Sequence, residues 1–253
     1  MVDNIKNEVP VFFDGSFDGF LSIVYAVYYD KIAPLSIQTE NGAQLSLLIE
    51  PYFVETDFDK AAKVYKGIKR KISSEAAGTV YNAFLSFEES KFMTILKYIK
   101  LGFKVGHMVD SHLQQDFVRD IRKMAGHVGR EAHLLTGFCR FAETKQGVLY
   151  SPVTPKNDVL GILAEHFKER LMNEQWVIHD KRRNKAAIYD GEGYVIAATP
   201  KDAVVNYADG EEQVQELWVA FFNTLAIKER SNKKLQRQLL PLYFRKNMTE
   251  FQL

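Results

Sequence analysis

Two carboxylates and a hydroxyl lie close together near the start of the chain. Asp14, Ser16 and Asp18 follow the apolar run 9–13 and precede a helical pattern. Carboxylates at this spacing could bind a metal ion or act as acid and base, and a strand-to-helix turn presents backbone N–H groups to an anion. The same residue types are typical of a tight turn and of a helix cap. Asp14 and Asp18 are therefore catalytic candidates with a structural alternative.

A second group of candidates lies in a long helical pattern and just beyond it. His127, Arg130, Glu131 and His133 occur close together, and Arg140 follows them. A histidine beside a carboxylate can transfer protons, but an ordinary salt-bridged helix end contains the same residues. The two histidines do not have the i, i+4 spacing of a zinc pair. We take His133 as a catalytic candidate and Arg140 as a nucleic-acid contact.

A third group combines histidine, aspartate and arginine. His166 and Arg170 lie one helical turn apart, and Asp180 precedes Arg182 and Arg183. Arginine pairs bind phosphate groups bidentately, although an exposed hairpin would carry the same charges. The histidine and the aspartate are catalytic candidates, and the three arginines are candidates for phosphate contacts.

The C-terminal region interleaves basic and aromatic residues. This pattern suits binding to a nucleic-acid backbone, with a solvated helix face as the alternative. The nucleic-acid candidates here are Arg230, Arg245 and Lys246. A further basic run at residues 60–71 has the composition of an ordinary solvated helix face. If the basic groups converge on one face of the folded chain, they form a phosphate-binding surface.

The composition excludes several classes of protein. With 253 residues, a net charge of +1 and 46% hydrophobic residues, the chain has the composition of a soluble globular protein. A single cysteine, Cys139, excludes a disulfide framework and a cysteine-rich zinc site and fits a reducing compartment. The polar start and the lack of a long apolar run predict a cytoplasmic protein without a membrane span. Nucleotide-binding loops and a serine-hydrolase elbow are also missing, so we predict no cofactor, and we assign no residue as a metal ligand in the leading hypothesis.

Hydrophobic periodicity predicts an α+β fold. After a short strand–turn–helix start, the N-terminal half is predicted to be helical, and an antiparallel β-β-α-β-β-β block with C-terminal helices follows. The strands are expected at residues 9–13, 45–49, 137–143, 147–152, 176–180, 185–189 and 194–198. The helices are expected at residues 17–29, 57–71, 73–85, 86–101, 107–135, 158–170 and 210–227.

Three finer predictions follow from the same patterns. Ser86 and Glu89 have the spacing of a capping box at the start of a helix. The apolar stripe of the last long helix, which includes Leu217, Trp218 and Phe221, is predicted to face the core. A change in element type predicts two domains, 1–104 and 105–253, with one compact unit as the alternative.

Four stretches of the chain carry a family resemblance, namely residues 13–20, 129–141, 164–180 and 217–250. Together they resemble a bacterial family of DNA-metabolism proteins, whose members are usually encoded beside a radical S-adenosylmethionine protein. The C-terminal region also resembles a domain of unknown function that is fused to some uracil-DNA glycosylases. The resemblance implies two partners, DNA, including single-stranded DNA, and the radical S-adenosylmethionine protein. Leu134 stands where we expect a basic residue after His133, which argues against a His-Arg pair at that point.

The leading hypothesis is a nucleic-acid-binding accessory protein in DNA repair or modification. Its phosphate contacts would be the basic candidates above, and His133, His166 and Asp180 would line a pocket. One alternative is an enzyme that hydrolyses or modifies a base or nucleotide with Asp14, Asp18 and His166 as acid, base or metal ligands. Another is a pure protein-interaction subunit that docks through Trp218, Phe221 and Phe222.

Overall fold

The computed structural model of the protein describes residues 8–40, 51–200, 204–225 and 232–252. The chain forms two compact units, which we call the first unit, ending at Val128, and the second unit, beginning at Gly129. The domain boundary predicted after residue 104 stays a prediction. The strand predicted at residues 45–49 lies outside the described residues.

The first unit has a short parallel sheet and a set of packed helices. Its strands are β1 (Val9–Phe13), β2 (Pro34–Thr39) and β3 (Tyr52–Phe53). Its helices are α1 (Phe17–Tyr29), α2 (Phe58–Lys71), α3 (Ser74–Phe84), α4 (Lys91–Val105) and the first part of α5 (Asp116–Phe138), with a short 3-10 helix at Gly106–Ser111.

β1 lies in the centre of this sheet, and both of its neighbours run parallel to it, in the order β2-β1-β3. Phe13 at its end is fully buried and contacts Phe92 of α4 edge to face, with ring centroids 5.1 Å apart. Phe20 of α1 packs on the same ring of Phe92 at 5.7 Å. The aromatic core therefore fixes the end of β1 and the start of α1 together. The sequence analysis missed β2 and β3, which carry weak alternation or only two residues.

The second unit is built on a five-stranded sheet in the order β4-β5-β6-β7-β8. The strands are β4 (Ala142–Glu143), β5 (Leu149–Val153), β6 (Trp176–Asp180), β7 (Lys185–Tyr189) and β8 (Tyr194–Ala198). The helices are α6 (Leu160–Arg170), α7 (Glu211–Leu225), α8 (Lys233–Leu239) and α9 (Leu242–Arg245), and a 3-10 helix at Thr249–Phe251 follows them.

The predicted α+β class and the β-β-α-β-β-β order are confirmed, with one correction to the strand directions. β5 and β6 pair parallel, whereas the other neighbours in this sheet pair antiparallel. The parallel pair arises because α6 connects the two strands. A crossover helix carries the chain back to the end of the sheet where β5 began, so β6 runs in the same direction as β5.

The strand predicted at residues 137–143 is mostly wrong. Helix α5 continues to Phe138, and the Cys139 N–H donates to the Leu135 carbonyl at 3.0 Å, so only β4 is extended. The ring of Phe138 packs against Phe244 with centroids 5.6 Å apart. Tertiary contact on the helical face overrides the short alternating pattern here.

Two other local predictions are wrong. The hydroxyl of Ser86 accepts from the Glu88 N–H at 3.2 Å, and α4 begins only at Lys91, so residues 86 and 89 form no capping box. In the described part of α7 no residue is buried, and Leu217 is 69% exposed. Periodicity shows that a helix has an apolar face, but the partner of that face depends on elements distant in sequence.

One carboxylate organises the turn between β1 and α1. Ser16 caps α1 by accepting from the Gly19 N–H at 2.9 Å. The carboxylate of Asp14 accepts from the Ser16 N–H at 2.9 Å and from the Thr56 hydroxyl at 2.8 Å. A Cβ at Gly19 would lie 2.3 Å from Asp14 Oδ1 and 2.7 Å from Thr56 Oγ1. The turn therefore closes only because residue 19 has no side chain.

We expect Gly19→Ala to lower the free energy of unfolding by about 1 to 3 kcal/mol, since the new methyl group must displace the Asp14 carboxylate. Gly78 in α3 is the matched control, because it is exposed and a Cβ there has no neighbour within 4 Å. Gly78→Ala should raise the free energy of unfolding by about 0.5 to 1 kcal/mol through helix propensity. Urea unfolding of both variants measures the difference, and equal effects would contradict the close approach at Gly19.

Candidate nucleic-acid interface

A cleft of about 670 Å³ lies within the second unit. Its walls come from the segment after α5, from β5, from the turn between β6 and β7, from α7 and from the C-terminal segment. Cationic and aromatic side chains line it, namely Arg140, Lys181, Lys246, Tyr150, Tyr207 and Trp218. We call this feature the cleft.

Arg140, Glu250 and Trp218 form one hydrogen-bonded group at the wall of the cleft. The guanidinium of Arg140 donates to both carboxylate oxygens of Glu250, at 3.2 Å from Nε and 2.6 Å from Nη2. The indole N–H of Trp218 donates to the same carboxylate at 3.2 Å, and the Arg140 guanidinium lies 5.2 Å from the indole centroid. Burial alone would raise the pKa of Glu250, but its hydrogen bonds and the charge of Arg140 hold that pKa below the usual value.

Arg140 is therefore a positioning residue. Its charge is used by Glu250, and its Nη1 donates to the carbonyls of Gly137 and Cys139 at the end of α5, at 2.9 and 3.1 Å. These contacts hold Trp218 in place and leave the guanidinium little freedom to bind a phosphate.

Lys181 and Lys246 are the cations of the cleft that remain available. Both are exposed, and neither makes an ion pair or a side-chain hydrogen bond within the described ranges. The carboxylate of Glu211 also lines the cleft, where its oxygens accept from the Glu143 N–H and the Gln215 amide, each at 3.0 Å. Within the part of the chain that the structure describes, two amines without a partner thus share the cleft with one carboxylate, and that carboxylate already accepts hydrogen bonds.

Lys181 owes its position to a buried aspartate. Asp180 is fully buried at the end of β6 and accepts from the N–H groups of Arg182 and Arg183 at 2.9 and 3.2 Å. The Arg183 guanidinium donates to the same carboxylate at 2.9 Å and to the Pro155 carbonyl at 3.2 Å. Asp180 and Arg183 therefore hold the turn together and are not placed to meet a ligand.

The aromatic residues of the cleft are held by the sheet. Tyr150 lies in β5, and its hydroxyl hydrogen-bonds to Nδ1 of His179 in β6 at 2.8 Å. Nε2 of the same histidine bonds to the hydroxyl of Thr199 at 3.0 Å. Burial raises the pKa of Tyr150 to about 12, and burial with the nearby Lys181 charge lowers the pKa of His179. Tyr207 lies in a segment that pairs with the edge of the sheet through Thr144.

Glu131 has a structural role. Its buried carboxylate accepts from the Lys156 N–H, from the Asn157 N–H and side-chain amide, and from the Tyr243 hydroxyl, at 2.9, 2.8, 2.6 and 3.2 Å. It thereby joins α5 to the loop before α6 and to α9. His133 is exposed on α5, and His166 packs against the ring of Phe167 at 5.0 Å. Neither of these two histidines lines the cleft.

The nucleic-acid candidates from the sequence divide into two sets. Arg140 and Lys246 line the cleft, and Arg245 lies beside them, in a neighbouring groove of about 460 Å³ that shares Lys246. The Arg245 guanidinium lies 4.6 Å from the ring of Phe251, and its Nε and Nη2 have no acceptor in the part of the chain that the structure describes. The others are Arg170 and Arg182, which are exposed and do not line the cleft, Arg183, which is bonded as above, and Arg230, which lies outside the described residues.

Asp14 and Asp18 belong to the first unit. Burial would raise the pKa of Asp14, but hydrogen bonds from Ser16 and Thr56 bring it below its usual value. That carboxylate is thus committed to the turn, and Asp18 lies half-buried in the first turn of α1. Among the residues described, no group of three or more histidine, cysteine, aspartate or glutamate side chains could hold a metal ion.

The site residues predicted from the sequence did not include Lys181, Tyr150 and Tyr207, which line the cleft. Lys181 lies in the same basic run as Arg182 and Arg183, which were predicted as phosphate contacts. The sequence does not separate the three residues, whereas in the fold the turn at Asp180 directs Lys181 to the cleft. The two tyrosines carry no local signal, because a strand pairing and a sheet-edge segment bring them together.

The pKa of His179 predicts a pH dependence of stability. A histidine whose pKa is lowered in the folded protein takes up a proton more readily when the chain unfolds, so stability falls as pH drops below the ordinary value of 6.5. His179→Asn should lower the free energy of unfolding by about 1 to 3 kcal/mol at neutral pH, since it disturbs one buried and one partly buried hydrogen bond. It should also flatten the decline between about pH 7.5 and about pH 5.5.

Chemical unfolding across this pH range measures both effects. His133→Asn is the control, because His133 is exposed and lacks a hydrogen bond through its ring in the described structure. An unchanged slope in His179→Asn would contradict the role of this histidine.

No helix in the described ranges is long and apolar enough to cross a membrane.

Comparison with known proteins gives one family. No curated protein matches the chain. A family model described as a domain of unknown function, DUF4130, matches residues 89–250, a range that contains the residues named above as lining the cleft. Because this match covers more than half of the 253 residues, the chain belongs to the DUF4130 family.

Proposed function

We propose that this protein binds nucleic acid in the cleft of the second unit and serves as an accessory protein in DNA repair or modification. The observation that carries the proposal is the placement of two amines, Lys181 and Lys246, which have no partner among the described residues, beside aromatic side chains in one cleft. Amines bind phosphates, and aromatic faces stack on bases without regard to sequence.

The aromatic side chains that would stack on bases are partly accessible. Trp218 is 38% exposed and Tyr207 is 41% exposed. Trp218 is held by its hydrogen bond to Glu250, and a fixed ring loses little conformational freedom when it stacks on a base. The cleft volume of about 670 Å³ is within the range of sites for small ligands, which fits one or two nucleotides of a strand.

The choice of DNA and of a second partner rests on the resemblance described above. That resemblance associates chains of this kind with DNA metabolism, with a co-encoded radical S-adenosylmethionine protein and, in the C-terminal region, with some uracil-DNA glycosylases. The protein would present a DNA strand to such a partner, because Asp14 and Asp180 are committed to turns and none of the five catalytic candidates lines the cleft.

The test is fluorescence anisotropy with a labelled single-stranded oligothymidine at low salt. The double variant Lys181→Ala, Lys246→Ala should bind at least about tenfold more weakly. The slope of the logarithm of its binding constant against the logarithm of the salt concentration should be shallower by about 1.4, since each lost phosphate contact contributes about 0.7. Tyr207→Ala should weaken binding at least about fivefold through lost stacking.

The control is the double variant Lys97→Ala, Lys123→Ala, which removes the same charge from exposed positions of the first unit. Equal affinities of the parent and the cleft double variant would contradict the proposal. A duplex and an oligouridine of the same length, measured in parallel, distinguish single-stranded DNA from the other nucleic acids.

A second candidate function, an enzyme acting on a base or nucleotide, is favoured by the Tyr150 contact. Tyr150 lines the cleft, and its hydroxyl joins a hydrogen-bond chain to His179 and Thr199. A tyrosine with a pKa of about 12 stays protonated at neutral pH, so its hydroxyl can donate a hydrogen bond to a reacting group. Under this alternative, Tyr150→Phe abolishes turnover of nucleotides or damaged DNA and retains binding, and the absence of turnover in the parent protein would dismiss it.

A further inference from the structure

A second aromatic and basic groove lies in the first unit, where the C-terminal halves of α1 and α2 meet α4. Its volume is about 470 Å³. Its described lining residues include aromatic side chains and three cations but no carboxylate. The aromatic set is Tyr25, Tyr28, Tyr29 and Phe103, and the cations are Lys63, Arg70 and Lys71. We call this feature the groove.

The floor of the groove depends on a glycine. Gly67 lies on the face of α2 that carries Lys63, Arg70 and Lys71, and a Cβ at this position would lie 3.7 Å from the ring of Phe103. A larger side chain would fill the space between the helices. The missing side chain therefore keeps the aromatic surface of Phe103 open to the groove.

The aromatic side chains form a platform. Tyr25 and Tyr29 stack with centroids 4.2 Å apart and planes inclined by 17°, and Tyr28 meets Phe103 edge to face at 5.5 Å. Tyr29 is 70% exposed although it is a large aromatic residue. A supported, exposed ring of this kind offers one face to a planar ligand.

The cations of the groove are not explained by internal pairing. Lys63 and Arg70 are exposed and make no ion pair or side-chain hydrogen bond with any residue that the structure describes. Lys71 makes a cation–π contact with Phe103, at 5.8 Å. The helix dipole accounts for basic residues in the last turn of α2. It does not account for Lys63, which lies about two turns earlier.

We infer that the groove is a second nucleic-acid site, which binds a single-stranded segment by stacking a base on Tyr29 and by contacting phosphates through Lys63 and Arg70. A ligand for this site must be anionic and must carry a planar ring, and a nucleotide chain has both properties. An acidic peptide would use the cations but not the exposed ring. The inference goes beyond the cleft and does not rest on it, since the groove residues belong to the other unit.

The test uses the full chain and a labelled oligothymidine of about 20 nucleotides, in the background of the cleft double variant Lys181→Ala, Lys246→Ala. Binding that remains in this background should fall at least about fivefold in Tyr29→Ala and be kept in Tyr29→Phe, because phenylalanine preserves the stacking face. Lys63→Ala with Arg70→Ala should weaken it further and reduce the logarithmic salt slope by about 1.4.

Lys97→Ala with Lys123→Ala is the matched control for charge, and thermal unfolding checks that each variant is folded. Photocrosslinking with a bromodeoxyuridine oligonucleotide should place a crosslink at Tyr28 or Tyr29 in the parent protein. Unchanged affinity in both groove variants, or a polyglutamate peptide that binds as tightly as the oligonucleotide and is indifferent to Tyr29→Ala, would overturn the inference. Because the cleft residues are varied separately, a failure of the cleft proposal and a failure of this one give different results.

Discussion

The ion pair between Arg140 and Glu250 is the interaction on which the second unit depends. It joins residues 110 positions apart, and the carboxylate is almost completely buried, with 1% of its side chain exposed. A buried pair of this kind gains little net free energy against an apolar pair of the same shape, but the loss of one partner costs about 3 to 5 kcal/mol. By accepting from Trp218 as well, Glu250 brings α7, the end of α5 and the C-terminal segment to one place.

The pairing of charges also decides which cations remain for a ligand. Arg183 is bound by Asp180, and Lys185 by Asp158 at 2.5 Å, so two members of the basic run 181–185 are neutralised inside the fold. Lys181, from the same run, faces the cleft. In the sequence these three residues are equivalent positive charges. In the described structure, Arg183 and Lys185 are paired with carboxylates, and Lys181 is the one that can contact an anion in the cleft.

The sequence predicted much of the fold where a pattern is local. The bounds of β1, α1, β6, β7 and β8 agree with those expected, because their signals are local. Ser16 caps α1, and short turns join β6 to β7 and β7 to β8. Predictions failed where distant packing decides. The end of α5 is set by the contact of Phe138 with Phe244, and the exposure of α7 cannot be read from its amphipathic pattern. For the site, Arg140 and Lys246 could be named from composition, whereas Tyr150 and Tyr207 depend on a strand pairing and a sheet-edge bridge.

The environment of Cys139 has a practical consequence for spectroscopy. The chain has one cysteine, it lies at the wall of the cleft, and desolvation raises the pKa of its thiol to about 12. Maleimides and iodoacetamides react with the thiolate, which this residue hardly forms at neutral pH. A new cysteine placed on an exposed helix would therefore take up nearly all of the dye, and the natural chain would serve as its own unlabelled background.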